Sequence, residues 1–187
     1  MGDQEIISFP GGGQLVIRQP LEKLLIISTE EPSAIQSGIA YLNQIKNRDP
    51  SAVSLEVHTT YQQVLDIHSE TKQLVNMADF PGFFLAINYC INNGISLYAS
   101  DVQQQQYAQL VETLDQQLSA ESRPMKPRDR PSEVIVKEWV EERAKLSRQR
   151  AEYTKKKLSE LYKQICGSFV HLASENQAEL ICDLFTS

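Results

Sequence analysis

Ser28, His58 and Asp101 are the residue types of a nucleophile, a base and an orienting acid, and each stands where an apolar run gives way to polar residues. With Thr29 and Ser100 they form three short polar segments: Ser28-Thr29-Glu30-Glu31, His58-Thr59-Thr60 and Ser100-Asp101. A hydrolytic triad is defined by geometry, and no nucleophile elbow surrounds Ser28, so we assign no catalytic residue. The same five residues, Ser28, Thr29, His58, Ser100 and Asp101, offer hydroxyls, an imidazole and a carboxylate, and are the candidate ligand-binding set. His58, Asp66 and His68 match no rigid zinc spacing and lack a further ligand, so neither a metal site nor a cofactor is expected.

Two other features invite chemistry. Pro10 and Gly11 to Gly13 sit between EIISF and QLVIR. A phosphate-cradling loop would need Gly-Lys-Ser/Thr at its end or a GxGxxG spacing, and neither is present, so the glycines read as the turn of a β-hairpin. The segment 143–157 is rich in Lys and Arg. Glu141–Lys145 and Glu152–Lys156 fit i,i+4 pairing on a solvated helix, yet Lys145, Arg148, Lys155 and Lys156 could also meet an acidic protein or phosphate. Nucleic acid is the less favoured partner, because the whole chain has a pI near 5.1. Trp139, ahead of that stretch, reads as a packing anchor or an interface residue.

The elements that must hold these residues can be read from periodicity. KLLIIS (23–28) is a continuous apolar run, the pattern of a strand covered on both faces. A helix follows, capped by Ser33, with Ile35, Ile39, Leu42 and Ile45 at helical spacing, and Asp49-Pro50 ends it. AVSLEVH (52–58) alternates as a second strand, and strand–helix–strand order implies a parallel pair. One or two helical pieces occupy 59–79. A buried helix spans 83–92, stopped by Gly94 in the left-handed conformation, and ISLYA (95–99) is a third strand. An amphipathic helix is expected over 103–118, then a linker with three prolines over 119–132. A long helix runs from 133 to 166, too polar in its middle to bury a wide face, with Phe169 at its sticky end; Val134-Ile135-Val136 as a further strand is the competing reading. A short helix over 175–185 is capped by Ser174. With strands assigned, the polar segments fall at the carboxyl ends of a parallel sheet, where open α/β sheets bind ligands.

Length and composition bound the class. A chain of 187 residues with 41% apolar and 22% charged content suits one domain with an appendage or two small ones. No apolar run approaches the roughly 18 residues of a membrane span. The N-terminus lacks the basic and apolar regions of a secretory signal, and Ile6 and Ile7 stand where myristoylation needs Ser or Thr. Cys90, Cys166 and Cys182 all lie in apolar stretches and form no CxxC pair, the usage of a reducing, cytoplasmic setting. The net charge of −6 is unevenly spread: residues 1–120 carry −8 and residues 121–187 carry +2.

The region 23–101 resembles the DsrE family of sulfur-relay domains. The resemblance is carried by LLIIST, by Ser37-Gly38-Ile39-Ala40 in the helix, by the strand ending at His58, and by Asn93-Gly94 before ISLYAS. It implies a small three-layer fold that often oligomerises. Family members carry sulfur on a cysteine just after the last of these strands. Here Ala99, Ser100 and Asp101 occupy those positions, so sulfur transfer is not implied.

The resulting expectation is an α/β fold with a small, mainly parallel sheet, an N-terminal β-hairpin and a long helical C-terminal extension. The domains would be an acidic α/β unit at 1–120, a Pro-rich linker at 121–132 and a helical arm at 133–187. The function that fits is non-enzymatic protein interaction or complex assembly, the arm docking a partner or second subunit through Trp139, Lys145, Arg148, Lys155 and Lys156. A small-molecule-binding or enzymatic domain, DsrE-like or Rossmann-like and using the strand-end residues, is the alternative. A protein partner or a homo-oligomer is expected, and no membrane.

Overall fold

The computed structural model describes residues 4–9, 13–32, 34–102 and 133–187, without the side chains of 133–136, 138 and 139. The expected helix at 103–118, the linker, the cap at Ser33, Gly11, Gly12 and the side chain of Trp139 lie outside the described residues.

The chain builds a six-stranded sheet with helices on both faces. Strands β1 (Gln4–Ser8), β2 (Gln14–Leu21) and β3 (Leu24–Thr29) form an antiparallel meander. Helix α1 (Ile35–Arg48) leads to β4 (Ala52–His58), a short turn of 3-10 helix (Thr59–Tyr61), α2 (Gln62–Thr71), α3 (Phe84–Asn93) and β5 (Ser96–Asp101). The extension is α4 (Glu133–Gln164), β6 (Phe169–Ser174) and α5 (Glu175–Thr186). The spatial order is β1-β2-β3-β6-β4-β5, with β3, β6, β4 and β5 parallel.

Strand β6 is the main departure from the sequence reading, which carried the helix to 166 and Phe169 with it. The helix stops at Gln164, and FVHLAS becomes a central strand, hydrogen-bonded to β3 on one side and β4 on the other. β3 and β4 are therefore parallel but not neighbours. Alternation along β6 serves two cores at once. Val170 and Leu172 face Tyr41, Ile45, Ile87 and Ile91 of α1 and α3, while Phe169 and Ala173 face Ala151 and Leu158 of α4 and Ile181 of α5.

Helix α4 reaches the sheet along a narrow stripe: Leu146, Ala151, Thr154 and Leu158 are buried. Two small side chains in mid-stripe let the helix lie close without a wide apolar face. Val134, Ile135 and Val136 belong to this helix, which excludes the competing strand.

The stripe read at helical spacing seats α1 only through its C-terminal half, where Ile45 is buried and Leu42 half-buried. Ile35 and Ile39 are 55% and 47% exposed, and the buried face is Ser37, Gly38, Ala40, Tyr41, Gln44 and Ile45. Tyr41 decides the rotation. Its ring is fully buried and stacks on Phe83 at 5.7 Å, and its hydroxyl donates to the Ala173 carbonyl at 2.8 Å. Gly38 permits it, since a Cβ there would stand 2.9 Å from the Gly82 carbonyl oxygen. Gly94 adopts the left-handed conformation expected of it, at φ 69°. Ser174 occupies the N-cap position of α5 but makes no side-chain cap; its hydroxyl goes to Glu56 instead. Among the cysteines, Cys90 is buried, Cys182 half-buried and Cys166 exposed, so the last is not the buried thiol its apolar neighbours imply.

Candidate functional site

A cleft of about 340 Å³ opens at the carboxyl ends of β4 and β5. β4 contributes Glu56, Val57 and His58, and β5 leads into Asp101 and Val102. Tyr61 follows from the 3-10 turn, Asp79, Phe80, Pro81 and Phe83 come from the segment before α3, and Arg150 from α4. Tyr61 and Phe80 meet edge to face at 5.5 Å and make an aromatic wall.

The floor is an ion cluster. Arg150 Nε donates to Asp101 Oδ1 at 2.7 Å, and Nη2 donates to Glu56 Oε1 at 2.6 Å and also to Asp101 Oδ2. Glu56 further accepts from the Ser174 hydroxyl at 3.1 Å and from the Ser174 backbone N–H. The guanidinium thus ties α4 to β4 and β5 and, through Glu56, to the end of β6. Burial pushes the Glu56 carboxyl above the usual carboxylate range, outweighing Arg150 and Ser174, which favour its ionised form. His58 Nδ1 accepts the Thr60 N–H at 3.0 Å, so the neutral ring carries its proton on Nε2. That nitrogen is buried and has no partner among the described residues.

Behind the cleft, His171 is fully buried, with Nδ1 3.3 Å from Ser54 Oγ and 3.5 Å from Ser100 Oγ. Ser54 donates to Ser100 at 2.9 Å, and Ser100 donates to the Leu55 carbonyl at 3.0 Å. Burial pushes His171 down to about 4. A second cluster lies at the end of β3, where Ser28 bonds to the Glu175 carboxylate and Arg18 Nη1 donates to Ser28 Oγ at 3.0 Å and to Glu175 Oε2 at 3.1 Å. Burial works to raise the Glu175 carboxyl, but Arg18 and Ser28 hold it below its ordinary value.

The five strand-end residues therefore divide. His58 and Asp101 line the cleft; Ser28, Thr29 and Ser100 are buried beneath the surface. Among the residues named for the arm, Lys145 lies 3.6 Å from Glu142 and Arg148 3.6 Å from Glu152. In place of the Glu141–Lys145 and Glu152–Lys156 pairs that the spacing implied, the helix makes an i,i+3 pair at Lys145 and a different i,i+4 pair at Arg148. Lys156 is exposed, whereas Lys155 turns inward, bonding to the Leu184 carbonyl and lying 5.5 Å over the Phe185 ring. Sequence reasoning missed Glu56 and Arg150. The alternation of AVSLEVH does put Glu56 on the face that α4 covers, but nothing local signals that Arg150 leaves the basic stretch to meet it.

Among the described residues, no group of three His, Cys, Asp or Glu side chains could hold a metal ion, and no helix is long and apolar enough to cross a membrane. In comparisons with known proteins, no family model, no curated protein and no solved structure matches the chain.

Proposed function

We propose that the chain is an interaction protein that docks a protein partner through the outward face of α4. The observation that carries this reading is the mismatch between the helix's length and its burial. Thirty-two residues extend about 48 Å, yet the first buried side chain described on the helix is Leu146. Ahead of it Lys137, Val140 and residues 141–145 are all exposed, Val140 at 53%. Arg148, Glu152 and Lys156 continue that face over the part of the helix that packs. A helix anchored along one half with a charged, partly apolar face beyond it is a common form of docking element. Nucleic acid has less support, because Lys155 is turned inward and Lys145 and Arg148 each stand beside a glutamate. In nuclease-treated native lysate the tagged chain is expected to retain a stoichiometric protein. The combined Val140→Asp, Lys145→Glu and Arg148→Glu variant is expected to lose it while keeping the wild-type circular dichroism. Retention by the variant would rule out this face.

The strand-end cleft favours a second reading, a small-molecule site bounded by the Tyr61–Phe80 wall and by His58, whose buried Nε2–H seeks an acceptor. Gently ionised native mass spectrometry would then show a retained small molecule, lost in Tyr61→Ala at unchanged melting temperature. A chain that carries none in any preparation weighs against this use of the cleft.

A further inference from the structure

The two edges of the sheet are finished differently. At the β5 edge, Gln62 lays its amide against the strand: Nε2 donates to the Leu97 carbonyl at 3.0 Å, and Oε1 accepts the Ala99 N–H at 2.7 Å. The side chain stands where a neighbouring peptide group would, and closes that edge. At the other edge, no described residue pairs with the outer side of β1. The Phe9 N–H donates to the Gly13 carbonyl at 3.0 Å, and the register runs unbroken from Ser8↔Gln14 to Gln4↔Arg18. Facing pairs alternate in an antiparallel ladder, so the peptide groups of Phe9, Ile7 and Glu5 point to β2 and those of Ser8, Ile6 and Gln4 point outward. The usual guards of an exposed edge are missing: β1 has no lysine, no proline and no bulge against β2. Its outward centre is Ile6, 56% exposed, and its single charge, Glu5, is held by Arg48 at 2.9 Å.

We propose that β1 is a self-pairing edge, on which a second copy of this chain lays its own β1 antiparallel about a two-fold axis at Ile6. The strand matches itself in that register. The residues whose peptide groups point outward carry side chains that read polar, apolar, polar from either end and share one face of the sheet, so Ile6 meets the copy's Ile6, and Gln4 meets the copy's Ser8, an amide against a hydroxyl. Glu5 comes opposite the copy's Ile7 rather than the copy's Glu5, and each Glu5 keeps its own Arg48, so no like charges face each other directly. Pairing satisfies the outward N–H and C=O groups of three residues on each copy and makes one continuous sheet, an isologous contact that closes at two. The surface is separate from the α4 face, so the two readings can fail independently.

Sedimentation equilibrium of the full chain, from low micromolar to several hundred micromolar, tests this. The mass is expected to climb from 21.2 kDa toward twice that value. Ile6→Pro should hold it at 21.2 kDa with unchanged circular dichroism, because the N–H it removes points away from β2. Should that variant misfold, Ile6→Lys sets two ammonium groups against each other across the axis and should abolish dimerisation equally. The combined α4 variant should dimerise as wild type. A wild-type chain that stays at the monomer mass throughout, or a folded Ile6 variant that dimerises as wild type does, overturns the proposal.

Discussion

Arg150→Ala is expected to cost about 3–5 kcal/mol of folding stability at neutral pH, the penalty for removing one partner of a buried ion pair. Glu56 and Asp101 are the groups left behind, with side chains 9% and 11% exposed, and Arg150 is a shared donor to both. Ser174 would still serve Glu56, and the Val102 N–H would still serve Asp101 Oδ1 at 2.8 Å, but neither supplies a compensating charge. Arg150→Lys should recover only part of the loss, since a single ammonium cannot reproduce the fork that spans two carboxylates. Replacing all three together, as Arg150→Met with Glu56→Gln and Asp101→Asn, should be far milder than Arg150→Ala alone, because neither carboxylate is then stranded. Acid should narrow the gap between Arg150→Ala and wild type. Glu56 already titrates above its ordinary value, and losing its cation raises it further, so protonation relieves the variant as pH falls. Urea denaturation at pH 7 and pH 5 measures both effects. A variant within about 1 kcal/mol of wild type would show that the cluster does not hold α4 to the sheet.

What could be read from the chain follows from how local each cause is. KLLIIS and AVSLEVH announce strands because burial on both faces, or alternation, is written within six or seven consecutive residues. Gly94 announces a helix end because the left-handed conformation is a single-residue property. His58 and Asp101 follow from a general rule of parallel sheets, and both line the cleft. β6 escaped because FVHLAS is short, carries a histidine at its centre and follows a thirty-two-residue helix whose apolar end runs toward it. Only the gap between β3 and β4, formed by residues more than a hundred positions earlier, tells it to be a strand. The face of α1 is only half legible in its isoleucine spacing, which includes the buried Ile45 but also the exposed Ile35 and Ile39, because a tyrosine with a carbonyl to reach and a glycine with a backbone to approach set the rotation. Arg150 is the same problem in charge: in a basic stretch each cation reads as solvated, and which one turns inward depends on acids 49 and 94 residues away.

The histidine that disguised β6 should also dominate the chain's response to mild acid. His171 is fully buried against Ser54 and Ser100; its Nε2 has no partner among the described residues, and burial holds its imidazole down to about 4, against an ordinary histidine value of 6.5. Asp101 nearby favours the imidazolium and Arg150 opposes it, but burial outweighs both. Between pH 6.5 and about 4 the unfolded chain therefore binds a proton at this position and the native chain does not. Stability then falls as pH falls, by about 1.4 kcal/mol per pH unit inside that window and by about 3 kcal/mol across it. Glu175, held below its ordinary value, adds loss in the same direction at lower pH, and Glu56, raised above its own, works the other way. His171→Leu separates the histidine from both. It removes the titration, keeps an apolar side chain of comparable bulk in the α4-facing layer, and leaves Ser54 and Ser100 bonded to each other and to the Leu55 carbonyl. The variant's stability relative to wild type should therefore improve by about 3 kcal/mol on going from pH 7 to pH 4, whatever its cost at pH 7. Parallel stability curves for the two proteins over that range would mean that His171 titrates in the native state as it does in the unfolded one. The neutral, buried imidazole at the centre of the sheet would then be the wrong description of β6.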